Sequence, residues 1–509
     1  MKHRNIIIAA CASLALVSCK KTSWLDVNTN PNSLPSSTPD FTFAAAANRI
    51  AATLGPNETG EYWSGQWTQS STYIISSTLF AYQFNNTNFN YYDGMYDILE
   101  DLQYSISGAT GTGAYFGGAA RVLKAYVFQE LVDLYGNVPY TDALKGTASL
   151  APKFDDQKFI YEDLIKVLDT AITVLRANPL SAPLAGSDII FGSSPATAAT
   201  RWIQFANSLK MRILIRQSRI AGRDAYIIAE VNKAAATAEG FLPTGVDVTS
   251  NPGYVASTGK QNPFYENWGY NAAGTVQAIA RYPRPTTFLL NSLIATKDTF
   301  RLKRLFYPKG GQGVNPEIVS NYVGVPFGAA SGYLSQNTSY IGPSQLVKGE
   351  FARPMVLMTN AELQFNLAEA KQRYGAAVTL PNTAQAYYEQ GVKESFRITG
   401  TTTVYGAAAA TTLLTSGIDL ADWTASPDKL KAIWMQKWIA LTNYSGLEAW
   451  SEFRRTNFPV TPPSASTSPT QALPKRLFYP QSELASNGAN VLAQGTIDVF
   501  TTKIFWDVD

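Results

Sequence analysis

Along most of this chain hydrophobic residues recur at intervals of three and four, the spacing that lines one face of an α-helix. Phe116, Ala120, Leu123, Val127, Leu131 and Leu134 form one stripe, ending near Gly136. Ile160, Leu164, Leu168, Ala171 and Leu175 form another, behind the capping candidates Asp155 and Asp156. Trp202, Phe205, Leu209 and Ile213 make a third. Thr359-Asn360-Ala361-Glu362 fits a capping box, and Ala361, Phe365 and Ala368 continue from it. A tyrosine-rich partner follows from Ala384 to Ile398. Leu430, Trp434, Trp438 and Leu441 give the last strong stripe, ahead of a turn at Ser445-Gly446. These predicted helices fall into pairs: 95–105 with 116–135, 157–176 with 200–219, 359–374 with 384–398, and 429–443 with 447–455. Paired amphipathic helices predict tetratricopeptide-like stacking, in which each hairpin buries its face against the next. No clean period of about 34 residues accompanies them, so an irregular helical globule is the competing architecture.

Segments of another character separate the pairs. Residues 245–275 and 305–350 are rich in Gly, Asn, Ser, Pro and Tyr, and any strands there are short. Loops of this length inside a compact body usually carry function or stay disordered. Val460 to Pro474 is Ser/Thr/Pro-rich and reads as a mobile insertion. Residues 41–509 are expected to form a single body.

The amino terminus reads as an export signal. Lys2, His3 and Arg4 precede an apolar run from Ile6 to Val17, and Leu16-Val17-Ser18-Cys19 fits a lipobox. The run is too short for a bilayer, which needs about 20 residues. We expect residues 1–18 to be a signal peptide, Cys19 to be lipidated, and residues 19–40 to tether the lipid to the body. Processing removes His3 and Cys11 and leaves Cys19 acylated, so the mature chain has neither histidine nor a free thiol. Ser-His-Asp and Cys-His catalysis, histidine metal sites, structural zinc and disulfides are then excluded.

Charge narrows the partners further. The chain carries 41 basic and 38 acidic residues, and losing Lys2 and Arg4 brings the mature side chains close to neutrality. No basic field exists to attract nucleic acid. The same balance argues against a strongly anionic polysaccharide as ligand, since such polymers are favoured by clustered Lys and Arg.

Aromatic residues supply the binding candidates. The stretch 61–92 holds ten aromatic residues in 32, against 12% for the chain, so it is enriched more than twofold. Amides interleave, among them Gln66, Gln69, Gln83, Asn85, Asn86 and Asn88. A sugar offers an apolar CH face and a rim of hydroxyls, which rings and amides match by stacking and hydrogen bonding. Tyr and Trp fill cores and protein interfaces equally well. A second set is Phe264, Tyr265, Trp268 and Tyr270, beside Asn262, Asn267 and Asn271; a third is Tyr322, Phe327, Tyr333 and Tyr340. From these, Trp67, Tyr73, Tyr82, Tyr265, Trp268 and Tyr333 are the candidate ligand-binding residues.

Enzyme-like motifs lack their context. Ser257-Thr-Gly-Lys260 matches S-x-x-K but lies in a Gly/Pro-rich loop without the companion motifs. Gly253 to Lys260 imitates a phosphate loop with the wrong spacing, and Gly111-Thr-Gly113 follows a helix rather than a strand. Glu448 and Glu452 share a helix face, but Arg454 and Arg455 lie alongside, as on an ordinary solvated or ion-paired surface. No cofactor is expected; a structural Ca2+ held by loop oxygens stays open, although no EF-hand spacing occurs.

The wording of the sequence carries a resemblance as well. Trp24-Leu-Asp-Val-Asn-Thr-Asn-Pro-Asn32 follows Cys19; Arg121-Val-Leu-Lys-Ala-Tyr126 runs into Leu131-Val-Asp-Leu-Tyr-Gly-Asn-Val-Pro-Tyr-Thr-Asp142. Lys153-Phe-Asp155, Ile160-Tyr-Glu-Asp-Leu164 and Arg201-Trp-Ile-Gln-Phe-Ala-Asn-Ser-Leu-Lys-Met-Arg212 come next. Gln436 to Leu441, Gly446-Leu-Glu-Ala-Trp450, Glu452-Phe-Arg-Arg455 and Pro474-Lys-Arg-Leu-Phe-Tyr-Pro480 complete the order. In this sequence of pieces the chain resembles the SusD/RagB family of outer-membrane lipoproteins of Bacteroidetes, in its SusD-like branch. The resemblance implies a mainly α fold, with tetratricopeptide-like helix pairs in a right-handed α-α superhelix, long elaborated loops and few short strands. It implies a lipid-anchored protein at the cell exterior that captures glycan or peptide for a SusC-like TonB-dependent transporter, without catalysis. Two other readings are a carboxylate-dependent surface glycoside hydrolase and a helical-repeat scaffold for protein partners.

Overall fold

The computed structural model describes residues 37–509 apart from 56–57, 402–405 and 469–470. The expected signal peptide, Cys19 and nearly all of the tether lie outside the described residues. In chain order the main helices of the first half are α1 Pro39–Leu54, α2 Glu58–Trp63, α3 Tyr91–Gly108, α4 Ala114–Tyr135, α5 Gln157–Ala177, α6 Pro195–Arg216 and α7 Asp224–Ala235. Those of the second half are α8 Pro263–Trp268, α9 Thr287–Ala295, α10 Thr299–Leu305, α11 Asn360–Tyr374, α12 Ala384–Thr399, α13 Lys429–Leu441 and α14 Gly446–Thr456.

Every predicted pair packs as a pair: α3 on α4, α5 on α6, α11 on α12, and α13 on α14. The pairs also stack, α4 against α5 and α11 against both α6 and α13. The protein is thus mainly helical and tetratricopeptide-like, and Pro39–Asp509 form one compact unit. Local chemistry sets the ends. The Asp156 carboxylate accepts from the Lys158 and Phe159 N–H groups at 3.0 Å and opens α5. Thr359 Oγ1 accepts from Glu362 N at 3.1 Å, but Glu362 does not close the expected capping box. Its carboxylate instead takes both arms of Arg212, at 2.6 and 2.8 Å. Where α11 crosses α12, a Cβ on Gly391 would stand 2.7 Å from the Phe365 ring, so glycine sets the approach of the two helices.

Three details depart from the sequence expectations. Helix α1 opens at Pro39, two residues inside the expected tether, and its Ala-rich face packs on α3. Asp155 is not a helix cap; it accepts from Tyr140 N and Thr141 N at 3.1 and 2.8 Å. The 460–474 segment is docked at Ser464–Ser466, where Ala465 N donates to Phe327 O at 2.8 Å and Ser466 Oγ to Gly328 O at 2.5 Å.

The strands are short and pair in antiparallel twos. β1 Trp67–Gln69 pairs with β5 Pro283–Pro285, β2 Val138–Pro139 with β3 Phe154–Asp155, β4 Val248–Ser250 with β8 Met355–Met358, and β6 Phe306–Tyr307 with β7 Tyr340–Ile341. A small core of Leu289, Leu290, Leu293, Leu302, Leu305, Phe306, Trp438 and Ile439 sits under β6 and fixes it to α9, α10 and α13. No helix among the described residues is long and apolar enough to cross a membrane.

Candidate ligand-binding site

Two of these ribbons build a pocket. In β6–β7, Tyr307 lies directly opposite Tyr340, and their rings stand 5.1 Å apart. In β1–β5, Arg284 lies opposite Thr68. Helix α8 and the loop after it close the third side. Pro263 enters α8 at its first turn, and Asn262 caps it by accepting from Tyr265 N at 2.9 Å. Gly269 ends it, because a Cβ there would fall 2.8 Å from the Tyr265 carbonyl oxygen and 2.9 Å from Leu346. Asn271 then folds a tight loop, its Oδ1 accepting from Ala273 N and Thr275 N at 3.0 and 2.9 Å. Both asparagines serve the backbone rather than a ligand.

The cleft between these elements holds about 490 Å3, within the usual range for small-molecule sites. Trp268, Tyr270, Tyr307 and Tyr340 are its aromatic walls, with Arg281, Arg284, Ser335 and Gln336 as polar groups. The three tyrosines are half-buried, each with surface left to offer. Tyr307 is oriented by donating its hydroxyl to Leu346 O at 2.9 Å, and Tyr270 accepts from Gln312 Nε2 at 3.0 Å. Burial pushes all three phenols above their ordinary value, so they remain neutral hydroxyls at physiological pH. Arg284 is buried; its guanidinium donates to Thr338 Oγ1 at 2.9 Å and to Pro283 O at 2.7 Å. Burial lowers it to about 10, which leaves it charged near neutrality.

Of the six residues predicted to bind ligand, Trp268 alone lines this pocket. Trp67 is wholly buried, its indole donating to Asn443 Oδ1 at 2.8 Å and its ring meeting Trp268 edge-on at 5.8 Å. A ring without exposed surface cannot stack on a sugar, so Trp67 supports Trp268 from behind. Tyr265 is 2% exposed and backs Tyr270 in the same way, with ring centroids 5.4 Å apart. Tyr73 donates its hydroxyl to Ala278 O at 2.7 Å, pinning the turn that carries Arg281. Tyr333 exchanges backbone hydrogen bonds with Ser71, receiving Ser71 N at 2.9 Å and donating to Ser71 Oγ at 2.8 Å, two residues before Ser335. Tyr82 packs on Trp63 and Phe500, away from the pocket lining. The aromatic run 61–92 is therefore largely core, with Tyr62, Trp63, Trp67 and Phe80 at or below 1% exposure.

Tyr307, Arg281, Arg284 and Gln336 escaped the sequence reading. A signal existed for two of them: Arg281-Tyr-Pro-Arg-Pro285 joins cations, a ring and prolines, and Pro cannot donate within a central ladder. Nothing in the sequence pairs Tyr307 with Tyr340.

The pocket lining contains no carboxylate. Glycoside hydrolysis needs two acids across the scissile bond, and this pocket has neither. Glu448 and Glu452 are committed elsewhere: Glu448 to Arg216 and Lys437, Glu452 to Arg216 at 2.5 Å, Lys437 at 3.1 Å and Arg455 at 2.7 Å. They are buried, not solvated. Ser257 and Lys260 lie on an exposed turn, where Lys260 N donates to Ser257 O at 2.9 Å. Among the described residues no group of three or more His, Cys, Asp or Glu could hold a metal ion.

Comparison with known proteins identifies relatives of this fold. A SusD-like family model, described as starch-binding associating with outer membrane, matches residues 31–480. Among solved structures, a SusD homolog from Bacteroides vulgatus ATCC 8482 is 22% identical, with a TM-score of 0.73 over 92% of this chain and 97% of that one. A chitin-binding SusD homolog from Flavobacterium johnsoniae is 22% identical, with a TM-score of 0.72 over 92% and 99%. A SusD homolog from Bacteroides fragilis NCTC 9343 is 20% identical, with a TM-score of 0.73 over 92% and 100%. No curated protein matches. The chain belongs to the SusD-like family of nutrient-binding outer-membrane proteins.

Proposed function

We propose that this protein is a lipid-anchored receptor on the cell exterior that captures an oligosaccharide and delivers it to a SusC-like TonB-dependent transporter. The observation that carries the reading is the pocket of about 490 Å3 between Trp268, Tyr270, Tyr307 and Tyr340. Its rings offer apolar faces to sugar CH groups, while neutral phenols, Ser335, Gln336 and two guanidinium groups supply directional partners for hydroxyls. Each ring contact contributes about 0.5–1.5 kcal/mol beyond burial, so several sugar units in contact are needed for useful affinity. The carboxylate-free lining supports binding without turnover. The family's starch-binding description and the chitin-binding relative both favour glycan over peptide as the ligand class.

A panel of oligosaccharides and peptides, titrated against the mature protein and followed for hydrolysis, tests the reading. Saturable binding of a glycan that is recovered intact is the expected result. Peptide binding alone, or release of shorter sugars, would overturn it. Co-purification with the β-barrel partner from outer membranes, solubilised in mild detergent, tests delivery separately.

A further inference from the structure

Two arginines, Arg281 and Arg284, line the pocket, and its lining holds no acidic residue. Arg284 is 3% exposed, yet its bonds within 3.3 Å run only to neutral oxygens: Thr338 Oγ1, Pro283 O and Ala280 O. Arg281 is exposed at the same wall. Among the described residues neither arginine has a carboxylate within ion-pair reach, whereas buried Arg212, Arg216, Arg301 and Arg455 each have at least one. Buried Arg454 and Arg476 also lack one, but they are held by neutral oxygens away from this pocket, while Arg281 and Arg284 line it. Holding a buried cation beside a second cation, with only dipoles and the Tyr340 ring to stabilise it, is costly. An anion arriving between rings and guanidinium groups would make charge-assisted hydrogen bonds, about twice as strong as neutral ones.

We infer that the oligosaccharide taken by this pocket is acidic, with an anionic substituent of one sugar, a carboxylate or a sulfate ester, lying against Arg281 and Arg284 while its neighbours stack on the aromatic walls. The inference rests on the pocket being the glycan site proposed above. It also revises the expectation drawn from net charge. A nearly neutral chain attracts no polyanion from a distance, but recognition is local, and the local charge here is positive. Val276, 56% exposed on the pocket lining, and Tyr340, whose ring lies 5.9 Å from the Arg284 guanidinium, frame the charge with apolar surface. That surface favours a substituent carried on a sugar over a free hydrated ion.

The test uses the mature protein and matched pairs of oligosaccharides. Oligogalacturonides and oligoglucuronides are compared with the same chains after reduction of their carboxyl groups to alcohols. Sulfated galactan oligosaccharides are compared with their desulfated forms. At least one acidic chain should bind, and neutralising it should weaken binding roughly 10–100-fold, the worth of a hydrogen bond to a charged group. The arm that responds identifies the anion. Arg281→Gln should weaken the acidic chain by a similar factor and erase the difference between the paired forms. Because Arg281 is exposed, this variant should melt with the wild type, whereas Arg284→Gln puts the fold itself at risk. If neutral chains bind and no acidic chain exceeds its neutral form, this inference is wrong and the proposed function stands. If no oligosaccharide binds, the glycan reading is wrong and this inference goes with it.

Discussion

Arginine does opposite work in two regions of this molecule. In the helical body, Arg212 and Arg216 of α6 reach across to Glu362 of α11 and to Glu448 and Glu452 of α14, and Arg455 of α14 holds Glu369 of α11 at 2.7 Å. These side chains are nearly solvent-free, so each charge is compensated within the protein. In the pocket, Arg281 and Arg284 face a lining without acid. Aromatic residues divide along the same line. Trp67 and Trp63 are sealed in the core, while Tyr270, Tyr307 and Tyr340 keep part of their surface at the cavity. Residue type therefore does not distinguish framework from site. Placement does: side chains enclosed by the fold hold it together, and those that line the cavity are available to a ligand.

The contrast predicts where substitutions act. Arg216→Met, which strands Glu448 and Glu452 without one of their cations, should cost about 3–5 kcal/mol in chemical denaturation, the range for breaking a buried ion pair. Trp67→Ala should cost a similar 3–5 kcal/mol through the cavity it leaves. In that variant the loss of stability should exceed any loss of ligand affinity. A folded Trp67→Ala protein of normal stability that fails to bind sugar would place Trp67 back among the contact residues.

Acid and base should sort the buried ion pairs of the helical body further. Burial alone would raise the Glu369 carboxyl, but Arg455 and Arg373 beside it hold it down to about 2. A carboxyl depressed from its ordinary 4.5 stabilises the fold above that value, and its contribution disappears as pH falls through about 2. Burial lifts Glu130 to about 8, with Arg212 offsetting only part of the effect. Its contribution has the opposite sign: present below 4.5 and lost as pH climbs through about 8. Denaturation curves should thus show the deficit of Glu369→Gln shrinking as pH drops from 4.5 towards 2. Glu130→Gln should gain on the wild type as pH rises from 4.5 to 8. Parallel curves for both variants would mean that these carboxyls are not tuned by burial and the neighbouring arginines.

The helical pairs were legible because a helix written at intervals of three and four carries its own address. Phe116 to Leu134 needed no distant partner to be recognised, and Asp156 and Thr359 marked their helix starts locally. Helix α1 was not legible: Phe43, Ala46, Ala47, Ile50 and Ala51 form a stripe made largely of small residues, weak in hydrophobic signal although fully buried. The pocket was legible in part. Trp268 was singled out, and Tyr270 and Tyr340 fell within the second and third aromatic sets. The densest aromatic run pointed instead to 61–92, since a buried Trp and a sugar-stacking Trp look alike until burial is known. Tyr307 meets Tyr340 through a two-residue strand pair, a contact set by register rather than by any local pattern.

The most direct test of the account removes the facing pair from the pocket. The mature protein and a Tyr307→Ala/Tyr340→Ala variant would be titrated calorimetrically with an oligosaccharide the wild type binds, alongside thermal melting of both. Affinity should fall roughly tenfold or more, as expected for two lost ring contacts, while the variant still unfolds in a single cooperative transition. Unchanged affinity in a folded variant would contradict the assignment of this pocket as the capture site.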